Sequence, residues 1–261
     1  MTPDRTAWQL ALEHALAAMP CRWVDRAVIL DTCDSTQDEA FLHARGRPGV
    51  LVATVRQNAG RGRLGRVWTH QPSLGLALTV ALPADLDPAR VSIAAGLAAA
   101  LAASQLAGRR LGLRWPNDVV LPGPGPRWAK IAGVLVERRD GINLLGIGLN
   151  LNHAPADFPP ELRPRATSLR ELSGRHTAHA DACIAIIGHL DEALSLDSGT
   201  LSSRWTDLSV LTGTRQRFVH DNHTHEGMVA SLEPAGSITL VSDDGTAISL
   251  PALTTSLVKD D

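Results

Sequence analysis

The stretch Val50-Leu-Val-Ala-Thr-Val-Arg-Gln-Asn-Ala-Gly-Arg-Gly-Arg-Leu-Gly-Arg-Val-Trp68 places an apolar run directly before a loop of alternating glycines and arginines. The apolar run is typical of a buried strand. In the loop, glycines at 60, 62 and 65 let backbone N–H groups come close to a ligand. Arginines at 61, 63 and 66 add permanent charge and forked donors. Such a loop is suited to binding an anion.

The segment after this loop decides between fold classes. Gly60-x-Gly62-x-x-Gly65 matches the dinucleotide fingerprint and, with Val67, the glycine-rich loop of protein kinases. A Rossmann loop must open a helix, but residues 74–82 read as a strand rich in Leu and Val. The chain also lacks the Val-Ala-Ile-Lys, His-Arg-Asp and Asp-Phe-Gly motifs of a kinase. Both classes are therefore excluded.

Length and composition indicate a protein with a substantial core. The chain has 261 residues with 44% hydrophobic content, enough for one large domain and a small companion. Its formal net charge is −2, so the loop arginines are a local concentration, which disfavours general nucleic-acid binding. Cys21, Cys33 and Cys183 are widely spaced and suggest neither disulfides nor zinc. We therefore expect a cytoplasmic location.

Neither apolar segment of the chain is suited to a membrane. Residues 10–19 are interrupted by polar side chains, which argues against a signal peptide. Residues 91–107 are mostly alanine, too weakly apolar to span a bilayer. Asp87 as N-cap, Pro88 at the first position and Gly108 after the end predict a core helix here. We expect no membrane partner.

Strand and helix patterns alternate irregularly along the first two thirds of the chain. Strands are predicted at residues 28–31, 50–55, 74–82, 119–121, 131–137 and 142–150. Helices are predicted at residues 6–19, 36–45, 87–107 and 178–196. Because the order is not a regular strand–helix repeat, the fold class is α+β with a mixed sheet.

The chain changes character after Asp207. Short strands are predicted at residues 216–220, 228–232, 238–241 and 248–250, with an Asp244-Gly245 turn before the last. We therefore predict two domains, a catalytic domain at 1–208 and a small β-barrel at 209–261. His220, His223 and His225 lie in this second part, but without an accompanying Cys or acidic ligand set we expect no metal site.

Several polar residues stand where predicted strands end. Ser35, Thr36 and Gln37 follow the first strand, and Thr36 with Glu39 fits a capping box that opens a helix. A helix N-terminus is also suited to binding a polar or anionic ligand group. Farther along, Gly146-Ile-Gly-Leu-Asn150 is a glycine-rich strand whose backbone a flat ligand could approach.

The motif Arg114-Trp115-Pro116-Asn117-Asp118 predicts a break between two strands, because proline removes a ladder donor and restricts the residue before it. Asn117 and Asp118 are presented at that break. Lys130 stands just before a run apolar enough for a buried strand, which makes it a candidate for neutralising a phosphate or carboxylate.

Taken in order, these motifs resemble those of the biotin protein ligase family. The motifs are Ser35-Thr-Gln37, residues 57–68, Trp115-Pro-Asn-Asp118, Lys130-Ile-Ala-Gly-Val-Leu-Val-Glu137 and Gly146-Ile-Gly-Leu-Asn150. The resemblance covers roughly residues 25–200. It implies a catalytic domain like that of class II aminoacyl-tRNA synthetases, followed by an SH3-like β-barrel.

The resemblance also implies an activity. Family members join biotin to ATP as biotinyl-5′-AMP and then pass the biotinyl group to a lysine of a carboxyl carrier domain, such as that of acetyl-CoA carboxylase. The residues expected to bind biotin are Ser35, Thr36, Gln37, Gln57, Arg61, Gly62, Arg63 and Lys130. Those expected near ATP or the adenylate are Arg63, Arg66, Trp68, Asn117 and Asn150. Lys130, Arg63 and Asp118 are the expected catalytic residues.

These roles agree with the chemistry. A carboxylate is already ionised at neutral pH, so activation needs charge neutralisation rather than a base. Mg²⁺ on the phosphates is expected to share that task with Lys130 and the arginines. The second step requires deprotonation of the carrier lysine, for which Asp118 is our hypothesis, either as proton acceptor or as the group that orients the amine.

Two alternatives stay open from the sequence. A lipoate or octanoate ligase or transferase of the same superfamily would use a similar scaffold and lysine. A non-catalytic RNA-binding module would use the arginines and Trp68 for phosphate contact and stacking. About 25 residues precede the core, too few for the DNA-binding domain that some family members carry, so we expect no operator binding.

Overall fold

The computed structural model describes residues 4–19, 21–69, 71–123 and 128–258. The α-helices are α1 Arg5–Ala18, α2 Thr36–Ala44, α3 Pro88–Ala107, α4 Leu169–Ser173, α5 His179–Ser195 and α6 Ser198–Thr206. The strands are β1 Arg26–Cys33, β2 Val50–Gln57, β3 Gly75–Pro83, β4 Gly112–Arg114, β5 Asp118–Pro122, β6 Trp128–Arg139, β7 Ile142–Asn150, β8 Arg215–His220, β9 His223–Leu232, β10 Ser237–Val241, β11 Ala247–Pro251 and β12 Ser256–Leu257.

A mixed sheet forms the centre of the first part of the chain. The described residues give it seven strands in the order β1-β2-β3-β7-β6-β5-β4. Only the β1–β2 pair is parallel, and the other described pairs of this sheet are antiparallel. The predicted α+β class with a mixed sheet is therefore confirmed. The break at Pro116 is also confirmed, since β4 ends at Arg114 and β5 begins at Asp118.

Side-chain alternation divides the sheet into two covered faces. Leu51 and Ala53 of β2 join the core formed with α1, α3 and α5, whereas Val50 and Val52 join a smaller cluster with α2. Successive residues of a strand point to opposite faces, so the two clusters lie on opposite sides of the sheet. On its face α2 packs against β2, β3 and β7, whereas Lys130 and Asp118 lie farther along the sheet on β6 and β5.

Helix α3 is the core helix that the sequence predicts. Asp87 caps it through its side chain, Pro88 starts it, and Gly108 ends it in the left-handed conformation. By length and composition α3 could cross a membrane, but it is mostly buried inside the fold, packed against α5 and the sheet. Its alanines allow this close packing, because they present little side-chain bulk.

The strands after residue 208 form a second, antiparallel sheet. Within the described residues it has five strands in the order β11-β10-β9-β8-β12, and β11 and β12 remain its unpaired edges. A closed barrel is therefore not confirmed. The predicted Asp244-Gly245 turn does connect β10 to β11, with Gly245 at a φ of +84°. This sheet contacts the first at the strand break, where Phe218 packs edge-on against Trp115 at 6.0 Å between ring centroids.

Candidate active site

The N-terminus of α2 is held to the ends of β2 and β3 by a group of polar side chains. Gln57 Oε1 accepts hydrogen bonds from the backbone N–H of Thr36 at 2.9 Å and from its hydroxyl at 3.2 Å. The Thr36 hydroxyl also lies 2.9 Å from that of Thr79. The predicted capping box of Thr36 with Glu39 is wrong. Ser35 is the N-cap, and Thr36 is already helical and uses its side chain across the sheet.

Gln37 presents an unsatisfied acceptor from the same helix turn. Its side chain is only 4% exposed, and its Nε2 donates to the carbonyl of Leu135 at 3.2 Å. Its Oε1 has no hydrogen-bond partner among the described residues. A Cβ at Gly146 would lie 2.7 Å from Nε2, so glycine is needed there for this amide to lie on the sheet. A ligand N–H could satisfy the Gln37 oxygen.

Two glycines on neighbouring strands form a bare patch of sheet, which we call the glycine floor. Gly133 of β6 pairs with Gly148 of β7, and the Trp68 indole lies over both. A Cβ at Gly148 would come within 2.5 Å of Trp68 Cζ2, and one at Gly133 within 3.3 Å of Trp68 Cζ3. The two glycines therefore let the flat Trp68 ring lie directly on the backbone of the sheet.

A β-bulge brings Lys130 onto the floor side of the sheet. Val119 pairs with Ala132 but Val120 pairs with Lys130, so Ile131 is an extra residue in β6. Without it, Lys130 would sit opposite the next residue of β5 and point to the other face. With it, the Lys130 ammonium lies 2.5 Å from Asp118 Oδ1 and 5.3 Å from the centre of the Trp68 ring.

Asp118 is the counterion of two cations. Its Oδ1 pairs with Lys130, and its Oδ2 lies 2.6 Å from the Arg114 guanidinium. Burial alone would raise the pKa of Asp118, but the charges and hydrogen bonds of Lys130 and Arg114 outweigh burial and lower it below its usual range. A carboxylate held this way is a weak proton acceptor. Arg114 has no role among the sequence predictions, although its spacing of four from Asp118 across a proline turn is visible there.

The glycine–arginine loop forms a short hairpin, which we call the flap, over residues 60–68. The backbone N–H of Trp68 donates to the carbonyl of Gly60 at 3.0 Å, and that of Gly62 donates to the carbonyl of Arg66 at 2.7 Å. A Cβ at Gly60 would clash with the backbone carbonyl of Trp68, so only glycine allows the flap to start here. At its tip, Gly65 has a φ of +71°.

The arginines of the flap have different partners. Arg61 forms a bidentate ion pair with Asp38, with N···O distances of 2.7 and 3.0 Å, and it also donates to Glu137 at 3.1 Å. The Asp38 hydrogen bonds raise the pKa of Arg61. Arg63 donates to the backbone carbonyls of Ala252 and Leu253 in the second sheet, and burial lowers its pKa. Arg66 is exposed on the flap.

The two predicted asparagines brace strands around the floor. Asn117 Nδ2 donates to the carbonyl of Val134 at 2.7 Å. Asn150 Nδ2 donates to the carbonyl of Thr167 at 3.0 Å and lies 3.4 Å from that of Lys130. Thr167 has no role among the sequence predictions, but its backbone N–H donates to the carbonyl of Lys130 at 3.0 Å and fixes the backbone there. One sheet face brings together the predicted residues of α2 with Lys130, Asp118 and Trp68. Arg61 and Arg63 instead contact α2 and the second sheet through their side chains.

No group of three or more His, Cys, Asp or Glu side chains suited to a metal occurs within the described ranges. The rings of His220 and His225 are 6.5 Å apart. Beside the floor, Lys130 and Arg114 share the single carboxylate of Asp118. This arrangement fits an anionic ligand with a flat ring system.

Comparisons with known proteins show which family this fold and site resemble. The model of the biotin/lipoate A/B protein ligase family matches residues 29–153. That segment runs from β1 through β7 and includes the flap, Asp118 and Lys130. Over that segment the chain is similar to the biotin/lipoate A/B protein ligase family.

The relatives place the chain near the biotin ligases. It is 28% identical to the bifunctional ligase/repressor BirA of Bacillus subtilis (strain 168) over 229 residues, covering 82% of this chain and 69% of that protein. It is 33% identical to the biotin–(acetyl-CoA-carboxylase) ligase of Mycobacterium tuberculosis over 171 residues, covering 62% of this chain and 61% of that protein. The predicted resemblance is confirmed.

The fold also matches solved structures. Biotin protein ligase from Aquifex aeolicus in complex with biotin and ATP superimposes with a TM-score of 0.77 and 23% identity. The match covers 90% of this chain and 99% of that chain. The similarity therefore extends beyond the first sheet.

Proposed function

We propose that this protein activates biotin with ATP, giving biotinyl-5′-AMP and pyrophosphate. It then transfers the biotinyl group to a lysine of a biotin carboxyl carrier domain and releases AMP. The observation that carries the proposal is the placement of Lys130 at the edge of a glycine floor covered by Trp68, beside the polar N-terminus of α2. One face of the sheet therefore carries the Trp68 indole, the polar side chains of α2 and the Lys130 cation. The named ligases among the relatives support biotin over lipoate or octanoate.

The polar group at α2 suits the ureido ring of biotin. A urea has two N–H donors and one carbonyl acceptor. The free oxygen of Gln37 can accept one donor, the Ser35 hydroxyl can donate or accept, and the Thr36 hydroxyl, which donates to Gln57, can accept. Gln57 sets the orientation of Thr36. We therefore place the ring end of biotin here, near the Gly62 backbone, and its carboxylate toward Lys130.

Adenylation then depends on charge rather than on a base. The biotin carboxylate must approach the α-phosphate of ATP, and both are anions. Lys130 can neutralise the carboxylate, and we propose that Arg63 and Arg66 neutralise phosphates once the flap closes. Arg61, already paired with Asp38 and Glu137, would hold the base of the flap rather than the anion.

We place the nucleotide on the Trp68 side of the site. The indole offers a stacking surface for adenine, and Asn117 and Asn150 brace the strands beneath it. Mg²⁺ would enter as the complex with ATP, because this ion binds through substrate phosphates and retained waters rather than requiring an all-protein cage. In that position it offsets phosphate charge.

Transfer to the carrier requires a protected adenylate. A glycine-rich flap ordered over the acyl phosphate would exclude water until the carrier lysine arrives. Asp118 fits the role of counterion for Lys130 better than that of proton acceptor, because both its oxygens are already paired with cations. We propose that it orients the incoming amine only through Lys130.

The second sheet has a supporting role in this proposal. We propose that residues 209–261 form a small SH3-like domain beside a catalytic domain at 1–208. We also propose that they hold the flap before ATP binds, through an Arg63 contact to Ala252 that Arg63 leaves when the flap closes. We further propose that the protein works in the cytoplasm, where free thiols such as Cys183 persist.

Carrier labelling tests the whole reaction. The protein is incubated with biotin, Mg-ATP and the isolated carrier domain of a biotin-dependent carboxylase, and the carrier mass is followed. A single biotinyl addition that requires ATP is expected. A carrier whose acceptor lysine is replaced by arginine is the control. Addition without ATP, or none with several carrier domains and a folded enzyme, would overturn the proposal.

A further inference from the structure

Arg114 is a cation beside the site that no step of the proposed reaction uses. It ends β4, four residues before Asp118 and across the turn that contains Pro116. Its guanidinium lies 2.6 Å from Asp118 Oδ2 and 5.6 Å from the centre of the Trp128 ring. Its side chain is 20% exposed. The ring and the carboxylate together hold it in one position.

The three charges of this cluster do not cancel. Lys130 and Arg114 share the single carboxylate of Asp118, which is 17% exposed. To neutralise a substrate anion, Lys130 must weaken its 2.5 Å contact with Asp118 Oδ1. If no other cation were present, that movement would leave a partly buried carboxylate unpaired, which is strongly unfavourable.

Arg114 removes this obstacle because it contacts the other carboxylate oxygen. When Lys130 moves, Asp118 keeps an ion pair and a hydrogen bond. We propose that Arg114 is a positioning residue that keeps Asp118 neutralised while Lys130 transfers its ion pair from Asp118 to the substrate anion. The inference rests on the proposed function, since that function supplies the anion. Arg114 itself does not touch the substrate.

A double-mutant cycle tests the role. Biotin-dependent exchange of labelled pyrophosphate into ATP is measured for wild type, Arg114→Gln, Asp118→Asn and the double variant. In the wild-type background, Arg114→Gln should lower the turnover of exchange by about tenfold or more, the order expected for one charge-assisted hydrogen bond. In the Asp118→Asn background the same change should alter it by less than about twofold, because a neutral amide needs no counterion.

The pattern of outcomes separates the explanations. If Arg114 only supports the fold through Trp128, its loss lowers turnover equally in both backgrounds, and the proposal is overturned. Wild-type turnover in Arg114→Gln overturns it as well. The matched control is Arg109→Gln, since Arg109 is exposed. This variant should have the exchange turnover of wild type. Absence of exchange in the folded wild-type protein would instead refute the proposed function.

A conservative variant covers the possibility that Arg114→Gln does not fold. Arg114→Lys keeps the charge but loses the forked donor, so it should give a smaller loss that Asp118→Asn again removes. A loss in Arg114→Lys that persists in the Asp118→Asn background would overturn the proposal.

Discussion

An alanine at position 148 would fill the glycine floor. Gly148 lies in the interior of β7 and pairs with Gly133, and its φ is not positive, so alanine is compatible with the backbone. The added methyl group would lie 2.5 Å from Trp68 Cζ2 and 2.6 Å from Trp68 Nε1. Ordinary carbon contacts are about 3.5–4.0 Å, so the ring over the floor must move by about 1 Å.

The expected effect on catalysis is large, because a misplacement of about 1 Å can cost about a hundredfold in rate. We therefore expect Gly148→Ala to lower kcat/KM for biotin-dependent pyrophosphate exchange by about a hundredfold, which corresponds to about 2.7 kcal/mol. The stability of the fold should change little, since alanine in a strand interior is favoured over glycine by about 0.5–1 kcal/mol.

The matched control is Gly188→Ala on helix α5. Apart from the backbone of that helix, no atom of the residues that the structure describes lies within 4 Å of the new methyl group. That variant should keep full exchange activity and have a slightly higher Tm. Exchange kinetics and thermal unfolding are measured for both variants and wild type. Unchanged kcat/KM in a folded Gly148→Ala protein would refute the claim that the seating of Trp68 on the glycine floor positions the substrates.

Three further predictions concern charge and burial. Arg61→Ala detaches the flap from Asp38, so trypsin should cut after Arg63 several times faster than in wild type, and equal rates would contradict the anchor. Burial raises the pKa of the Cys183 thiol to about 12, so a thiol reagent at pH 8 should label it only after denaturation, as mass spectrometry can show. Because the folded pKa of Asp118 is lowered, its ion pairs stabilise the protein above about pH 4 and are lost below it. Denaturant titrations should show a smaller acid loss for Asp118→Asn, and identical pH profiles would contradict this.

The sequence was most informative where one local pattern determined one element. The cap residues and the proline of α3 predict both of its ends. The break at Pro116 predicts where β5 begins and that Asn117 and Asp118 lie at its start. β4 and β12 were missed, because strands of three and two residues are set by pairing and not by a periodic pattern. The capping box failed because tertiary contacts with Gln57 and Thr79 engage Thr36.

The chemistry of the site was only partly visible in the sequence. Lys130 and Asp118 were both singled out, but their direct ion pair depends on a bulge at Ile131 that no periodic pattern reveals. The ion-pair partners of Arg61 are Asp38 on α2 and Glu137 on β6. Both are distant from Arg61 in the chain, so the sequence does not predict these ion pairs. The sequence predicts which residues form the site. Which charged side chains pair with each other depends on the folded structure.

Biotin-dependent exchange of labelled pyrophosphate into ATP tests the central claim most directly, with octanoate and lipoate as alternative acids and Lys130→Ala beside wild type. The account predicts exchange with biotin alone, lowered about a hundredfold or more in Lys130→Ala, the order found when one stabilising donor is removed from a reaction centre. Exchange supported by octanoate or lipoate instead of biotin, or full exchange in Lys130→Ala, would contradict it.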